Sequence, residues 1–329
     1  MQIYGIDLSK DKFDVNYLSD LDQEVRKVIP NTMAGINKFL STLPCDAVLV
    51  AEYTGVYGDL LLFMANAGNH TICMVPGYEL LHSMGLVRGK SDPIDSRRIR
   101  EYGQRHQDKL RPTAFDDEDL YELKELYALR RQLVEQNKQL KTTAQAEKSK
   151  PYCSVACHRM RLETMGELES RIDKIEQEMM GIISRHEELN KSYEIITSVN
   201  GIGFVTAMML IIKTRNFRKI NNARQFAAYA GVAPYPKSTG KSDYGSRISD
   251  IGDKEAKTLL YICARSASVH NKELSLYYIR RCKIDFKNHF YTLNCIANKL
   301  LKIIFKLVSD GTVYDQNYIR RDPRVNISH

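Results

Sequence analysis

Hydrophobic and polar positions at the start of the chain predict a β-hairpin. Residues 2–6 form a mainly apolar run that ends at Asp7, and Phe13, Val15 and Tyr17 then alternate with polar residues. A period of two is typical of a strand with one buried face, so the second run is predicted to pair with the first. Asp7 is then expected at the end of a buried strand, immediately before a turn.

The next segments alternate between strand and helix patterns. Residues 24–29 can form a third strand, and the apolar run 47–50 predicts a buried strand followed by Glu52. A helical pattern over residues 57–66 and another apolar run over 70–75 come next. This alternation predicts an α/β layer whose sheet is at least partly parallel, with Asp7 and Glu52 at its carboxyl edge.

Two further acids lie at a predicted helix start. Asp92 and Asp95 are three residues apart around Pro93 and therefore share one face of a helix. Together with Asp7 and Glu52 they give four carboxylates, whose oxygens suit one or two Mg²⁺ ions, with Mn²⁺ as an alternative. Such ions can support phosphodiester cleavage. Ribonuclease-H-like folds and actin-type ATPases both begin with a strand-end aspartate, but a second phosphate-binding turn of the actin type is not evident.

The middle of the chain changes to a helical period. Leu126, Leu133 and Leu140 recur every seven residues, and a four–three spacing of apolar residues resumes after Pro151. Two long helices joined near Pro151 are predicted, as an antiparallel hairpin or a dimerising coiled coil. Ordinary amphipathic packing on a core is the alternative, and the heavily charged flanks favour the coiled coil.

The last third is predicted to be mostly helical. Gly201 and Gly203 form a turn typical of a helix-hairpin-helix, where backbone amides approach phosphate, although an ordinary helix start gives the same pattern. Residues 237–252 are polar and glycine-rich and are expected to form a loop. Cations and aromatic residues mix over 277–287, which suits a nucleic-acid backbone with unstacked bases, a solvated basic face being the alternative.

Composition narrows the class of protein. The 329 residues allow two domains, and the net charge of +8 favours a polyanionic partner. The seven cysteines are scattered, which predicts free thiols in a reducing cytoplasm. Cys153, Cys157 and His158 have no fourth ligand at a plausible spacing, so zinc is not favoured. Neither a membrane span nor a signal peptide is predicted.

Ordered motifs across both halves resemble one family. The chain is similar to the DEDD-type transposases of insertion-sequence family one-ten, and Piv-type DNA invertases share the first domain. The resemblance covers residues 2 to about 270. The motifs that carry it are Gly5-Ile-Asp7-x-Ser9-Lys10 with Asp14-Val15, Glu52-x-Thr-Gly-x-Tyr57, Lys90-x-Asp92-x-x-Asp95, Asn200-Gly-Ile-Gly203, residues 223–234, Ser238-Thr-Gly-Lys241 and Arg247-Ile-Ser249.

The resemblance implies a fold and a domain plan. It implies a ribonuclease-H/RuvC-like catalytic domain over residues 1–112, a coiled-coil linker over 113–190 and a helical transposase domain over 191–312, followed by a tail over 313–329. It also implies a bacterial protein of the cytoplasm, associated with the nucleoid when active, that forms a dimer or tetramer through the coiled coil.

The resemblance further implies a recombinase mechanism. A structured non-coding bridge RNA pairs with donor and target DNA, and Asp7, Glu52, Asp92 and Asp95 hold Mg²⁺. A serine of the second domain attacks DNA and forms a covalent intermediate. The matching position here is Thr239, with Ser238 beside it and Ser242 as a third candidate, so Ser238 and Thr239 are equal candidates for the nucleophile.

The sequence is compatible with three functions. The leading hypothesis is an RNA-guided DNA transposase or recombinase; the others are a metal-dependent junction-resolving nuclease without a covalent step and a non-catalytic assembly protein that binds RNA or DNA. The candidate nucleic-acid-binding residues are Lys90, Arg97, Arg98, Gly201, Gly203, Lys241, Arg247, Arg280, Arg281, Lys283 and Lys287.

Overall fold

The computed structural model describes residues 1–53, 55–83, 92–147, 149–239, 242–248 and 251–316; the side chains of residues 92–94 and 236–248 lie outside this description. The chain divides into two compact units, Met1–Asp116 and Asp117–His329. The first unit is a mixed α/β layer and the second is mostly helical, as the sequence predicts.

A five-stranded sheet organises the first unit. Strand β1 lies at its centre, antiparallel to β2 on one side and parallel to β4 on the other, and the full order is β3-β2-β1-β4-β5. The apolar alternation of the predicted hairpin corresponds to this antiparallel pair. The strands are β1 (Gln2–Leu8), β2 (Lys12–Leu18), β3 (Glu24–Pro30), β4 (Ala47–Glu52) and β5 (Thr71–Val75).

Helices cover both faces of this sheet. On one face, Ile6 of β1 packs in a buried cluster with Ile36 of α1 (Met33–Leu40) and Leu61 of α2 (Asp59–Ala67). On the other face, Ile3 and Val50 pack against α3 (Gly77–Ser83) and α4 (Asp92–Arg105). Since side chains alternate between the faces of a strand, Gly5 and Asp7 share the second face with Ile3. A 3₁₀ turn at Gly55–Gly58 leads into α2.

The second unit begins with a long antiparallel helical hairpin. Helix α5 (Glu118–Glu147) pairs with α6 (Val155–Arg185). Lys141 contacts Glu169 and Arg130 contacts Glu176. A lower residue number in α5 therefore corresponds to a higher one in α6, as expected for antiparallel helices. Of the arrangements left open by the heptad spacing, the structure therefore has an antiparallel hairpin within one chain. Its assembly as a coiled coil between chains stays a prediction.

A bundle of shorter helices completes the core of the second unit. Helix α8 is buried along most of its length, and α12 packs on α7, α9, α10 and α11. A π-helical turn, Arg280–Ile284, follows α11. The helices are α7 (Glu187–Ser198), α8 (Phe204–Thr214), α9 (Ala223–Tyr229), α10 (Lys254–His270), α11 (Lys272–Ile279) and α12 (His289–Asp310).

One expectation for this unit was wrong. The polar stretch that begins at Lys237 is not a loop throughout, because β6 (Pro234–Thr239) and β7 (Ser242–Ile248) form an antiparallel hairpin. The stretch has few apolar residues, so hydrophobic alternation could not indicate its strands; backbone pairing with a shift in register near Pro236 defines them.

Within the described part of the chain, no helix combines the length and the apolar character needed to cross a bilayer.

Candidate functional site

Two of the four predicted acids lie side by side on the sheet. In the parallel pair of β1 and β4, Ile6 is aligned with Ala51, so the next residue of each strand is an acid, Asp7 and Glu52. Both are half-buried. They share the face that α3 and α4 cover, at the carboxyl end of both strands. The topology thus brings these two carboxylates to one edge.

A close approach at Gly5 orients the helix that carries the other two acids. A Cβ on Gly5 would collide with the backbone of α4 at Ser96 and Arg100, whose own Cβ would be 2.7 Å away. Further along α4, a Cβ on Gly103 would lie 2.9 Å from Ile3. Helix α4 therefore runs antiparallel to β1, and its first turn lies toward the end of β1 that carries Asp7.

That first turn contains Asp92 and Asp95. The side chain of Asp92 lies outside the described residues, whereas Asp95 is half-buried and accepts a hydrogen bond from Nη1 of Arg98 at 3.0 Å. Glu52 lies against Gly77 at the start of α3, where an added Cβ would be 3.3 Å from its carboxylate carbon. The fold thus directs the elements of all four predicted acids to one region of the first unit.

A further acid, Asp14, faces Asp7. The two residues are direct partners across the antiparallel β1–β2 pair, which places their side chains on the same face. The carboxylate of Asp14 is only 2% exposed and accepts a hydrogen bond from Nε of Arg26 at 2.7 Å. Because this guanidinium neutralises it, Asp14 adds little free negative charge to the edge. The sequence pattern contains Asp14, but only the hairpin register shows that it lies opposite Asp7.

The donor set suits a hard divalent cation. Asp7, Glu52 and Asp95 offer only carboxylate oxygens, the ligands that Mg²⁺ and Mn²⁺ prefer. Half-burial leaves these groups accessible, and closely placed carboxylates repel each other unless a cation lies between them. The acids can therefore hold a metal ion, with Arg98 as the present partner of Asp95.

The candidate nucleophiles lie in the second unit on the β6–β7 hairpin. Thr239 is aligned with Ser242 and Ser238 with Asp243, at the end of the hairpin next to residues 240 and 241. Their side chains lie outside the description, as does Lys241. Arg247 is aligned with Tyr235 at the other end. The three candidate nucleophiles, Ser238, Thr239 and Ser242, therefore lie at the same end of the hairpin.

Of the predicted basic residues in the first unit, Arg97 and Arg98 are ion-paired. Arg97 donates to Glu101 at 2.9 Å and lies 3.6 Å from Glu24, and Arg98 is paired with Asp95. Lys90 lies outside the described residues. A DNA phosphate would have to compete with these carboxylates, so Arg97 and Arg98 are weaker candidates for phosphate contacts than their charge suggests.

The glycine turn lies between α7 and α8. Gly201 has φ of +100° and lies against α10, where an added Cβ would be 2.8 Å from the backbone nitrogen of Ala267. Gly203 is the N-cap of α8, makes no side-chain cap, and would have open space around a Cβ. The first glycine is therefore required by packing, while the second leaves the start of α8 approachable.

The basic and aromatic segment, residues 277–287, runs from the end of α11 toward the start of α12 and is largely exposed. Arg280 lies 5.5 Å and Lys299 4.6 Å from the centre of the Tyr277 ring, and Arg281 lies 5.6 Å from that of Tyr291. Lys283 and Lys287 are also exposed. These contacts hold cations over aromatic faces, and Arg281 also pairs with the carboxylate of Asp285 at 3.4 Å.

Two exposed rings extend this surface. Phe286 is 87% exposed and Phe290 is 69% exposed. Phe290 and Tyr291 are not among the residues predicted from the sequence, since the predicted mixture of cations and aromatics ends at residue 287. The same mixture continues into α12.

Two family models match this chain in order. The model described as "Transposase", for the DEDD transposases of IS110, matches residues 4–146 and so includes the whole acidic edge. The model described as "Transposase IS116/IS110/IS902 family" matches residues 193–279, which include the glycine turn and the β6–β7 hairpin. The chain belongs to this transposase family.

Relatives of the IS110-family chain include both transposases and an inverting protein. The pilin gene-inverting protein of Moraxella bovis is 22% identical over 321 residues, 95% of this chain and 97% of the relative. The transposase for insertion sequence element IS1328 of Yersinia enterocolitica is 28% identical over 184 residues, 54% of this chain and 53% of the relative. An IS110 protein of Streptomyces coelicolor is 28% identical over 121 residues, 37% of this chain and only 30% of that relative.

Proposed function

We propose that this chain is a DNA recombinase of an insertion sequence, which cuts and rejoins DNA. The observation that carries the proposal is the convergence of Asp7, Glu52 and the first turn of α4 at one sheet edge. The strand order β3-β2-β1-β4-β5, with an antiparallel half and a parallel half, supports a ribonuclease-H/RuvC-like assignment for this unit.

Asp7, Glu52, Asp92 and Asp95 would hold Mg²⁺ or Mn²⁺. A bound ion would supply activation of the attacking oxygen and charge stabilisation of the leaving oxygen. Asp7 and Glu52 project from adjacent strands of a packed sheet, so they are positioned before the substrate binds. Release of Arg98 from Asp95 would free that carboxylate for the metal and the guanidinium for a phosphate.

The nucleophile is proposed to be the hydroxyl of Ser238 or Thr239. An alcohol attacks a phosphodiester only when its proton is removed, so the hairpin end must meet the acidic edge during the reaction. The hydroxyl oxygen would form a bond to phosphorus as the 3′ or 5′ oxygen of the DNA leaves. Attack by that released oxygen on the phosphorus of another protein–DNA ester would rejoin the strands, break the bond between phosphorus and the side-chain oxygen, and regenerate the protein hydroxyl. The acids and the hydroxyls can come from one chain or from two chains of an oligomer.

The nucleic-acid partners are proposed to be donor and target DNA and a structured bridge RNA. Support for the RNA comes from the family resemblance, and the exposed cations and rings of residues 277–291 supply a suitable surface. The antiparallel hairpin of α5 and α6 is proposed to join subunits as a coiled coil.

A cleavage assay with a matched pair of variants tests the metal site. Asp7→Asn removes a proposed ligand, whereas Asp20→Asn changes an exposed acid at the opposite edge of the same sheet. With Mg²⁺, labelled DNA and RNA transcribed from the flanking region, Asp7→Asn should lower cleavage at least about 100-fold, since loss of outer partners of a metal alone costs about 10- to 100-fold. DNA binding should persist. Wild-type cleavage by Asp7→Asn would refute the metal assignment.

A suicide substrate tests the covalent step in the same system. Mass spectrometry of the products should find DNA attached to a peptide that contains residues 238–241, with the modified hydroxyl on Ser238 or Thr239. Cut DNA without an adduct would instead support the metal-dependent junction-resolving nuclease.

A further inference from the structure

The connection between α5 and α6 brings three different metal-binding groups together. Glu147 ends α5, Cys153 lies in the connection, and His158 is in the first turns of α6. One ligand atom from each lies within 4.8 Å of the others. The carboxylate of Glu147 is 7% exposed and lies 3.3 Å from Nδ1 of His158. This cluster is distant in sequence from the acids of the first unit and plays no part in the proposed recombination.

A fourth group is adjacent to this cluster. The guanidinium of Arg161 forms an ion pair with Glu147 and also donates to Sγ of Cys157 at 3.6 Å. The Cys157 thiol and the Glu147 carboxylate therefore contact the same guanidinium. Ser154 caps α6 by accepting a hydrogen bond from the backbone N–H of Cys157, which fixes the turn that carries Cys157 and His158.

We propose that Glu147, Cys153 and His158, with Cys157 as the fourth ligand, form a structural site for a zinc-class divalent cation. A set of thiolate, imidazole and carboxylate ligands suits tetrahedral Zn²⁺ and differs from the all-oxygen set expected for Mg²⁺. Rotation of the Cys157 side chain away from Arg161 would complete the coordination.

The charges of the group balance when a cation is bound. Two thiolates and one carboxylate carry three negative charges, which Zn²⁺ and the Arg161 guanidinium together neutralise. Binding would break both S–H bonds and release two protons to solvent, without any change in oxidation state.

The sequence alone does not reveal this site. Cys153, Cys157 and His158 are close in sequence, but the additional ligand comes from the preceding helix, and only the antiparallel hairpin places Glu147 beside them. A bound ion would connect the end of α5 to the start of α6 and stabilise the tip of the hairpin.

Titration of the metal-free, reduced full-length chain with Co²⁺ tests the proposal. One ion per chain should bind with the thiolate-to-cobalt charge-transfer band and the intense ligand-field bands of a tetrahedral site, and Zn²⁺ should displace it. Cys153→Ser should weaken Co²⁺ binding at least tenfold, while Cys45→Ser, which changes an exposed thiol of the first unit, should have no effect. A wild-type chain without these bands, or a Cys153→Ser chain that binds equally well, would overturn the proposal.

Two further variants separate ligation from folding. Glu147→Gln removes a ligand and also the ion pair with Arg161. Circular dichroism of Glu147→Gln in EDTA, compared with that of Cys153→Ser, which keeps this ion pair, shows whether loss of the ion pair alone disturbs folding. Cys157→Ser should lose part of the charge-transfer intensity; an unchanged spectrum would overturn its assignment as fourth ligand. Zn²⁺ should also slow modification of Cys153 and Cys157 by a thiol reagent at least tenfold while Cys45 reacts as before, and equal rates with and without Zn²⁺ would contradict the site.

Discussion

Replacement of Gly5 by alanine tests how the acidic edge is assembled. The new Cβ would collide with the backbone of α4 at Ser96 and Arg100, and it would be 2.7 Å from Arg100 Cβ, at least 0.7 Å short of the 3.4 Å at which ordinary contacts begin. Backbone atoms of a packed helix cannot rotate away as a side-chain end can. Helix α4, which carries Asp92 and Asp95, must therefore move away from β1.

The expected losses of stability and of cleavage activity follow from this displacement. Inserting a methyl group into a packed core costs about 1–3 kcal/mol. A gap of 0.5–1 Å also removes roughly a quarter to a half of each dispersion contact along the helix. The reduced backbone freedom of alanine in the unfolded chain offsets only about 0.5–1 kcal/mol of this. We expect a net loss of about 1–3 kcal/mol in the first unit. A displacement near 1 Å at the acids would lower cleavage by about 100-fold.

Hydrogen exchange measured by mass spectrometry is the assay, because it reports β1 and α4 separately from the second unit. Exchange of peptides from β1 and α4 should accelerate, whereas those from α8 should not change. Gly58→Ala is the matched control, since its Cβ would meet the flexible end of Met74 at 2.9 Å and a methyl of Leu8 at 3.2 Å, both of which can shift. Unchanged exchange and full cleavage in Gly5→Ala would refute this assembly of the site.

Two other variants probe the second unit. Asp253→Asn should destabilise it by about 1–3 kcal/mol in urea unfolding at pH 7, because Asp253 accepts hydrogen bonds from Lys213 at 2.7 Å, from Tyr229 and from the N–H of Ala256. Burial raises the pKa of Asp253, but these donors outweigh it and lower the pKa overall below 3.8. The difference in stability between wild type and Asp253→Asn should therefore persist down to about that pH and disappear as the pH falls through the lowered pKa. A stability difference that grows in acid would contradict this role of Asp253. Phe290→Ala should weaken RNA or single-stranded DNA binding by about 1–3 kcal/mol in fluorescence anisotropy, whereas Tyr152→Ala, which removes a ring that is 81% exposed at the hairpin tip, should not. Equal effects of the two substitutions would place the binding surface elsewhere.

The positions of Asp7 and Glu52 were predictable because each follows an apolar run that is long enough for one strand and no more. The parallel pairing of β1 with β4 then places both acids at the same edge of the sheet, and the alternation of side chains along each strand places them on the same face. The two long helices were predictable from their heptads for a similar reason, since a local period reports one buried stripe. Whether that stripe pairs within a chain could be resolved only by contacts such as Lys141 with Glu169.

Other features depend on contacts that no local pattern encodes. The close approach of α4 at Gly5 joins residues more than 90 positions apart, and glycine in a strand does not itself indicate which element lies above it. The β6–β7 hairpin is polar throughout much of its length, so the period of two is hidden. Glu147 joins the cysteine cluster only because the helical hairpin folds back.

Metal-directed cleavage of the protein itself tests the position of the catalytic metal without any DNA or RNA. Fe²⁺ with ascorbate and peroxide generates radicals that cut the backbone near the bound ion. We expect cuts next to Asp7, Glu52 and the first turn of α4, which Mg²⁺ suppresses and Asp7→Asn removes, while any cuts near Cys153 persist in Asp7→Asn. Cleavage confined to other parts of the chain, or unchanged at those three places in Asp7→Asn, would contradict a metal centre at this edge of the sheet.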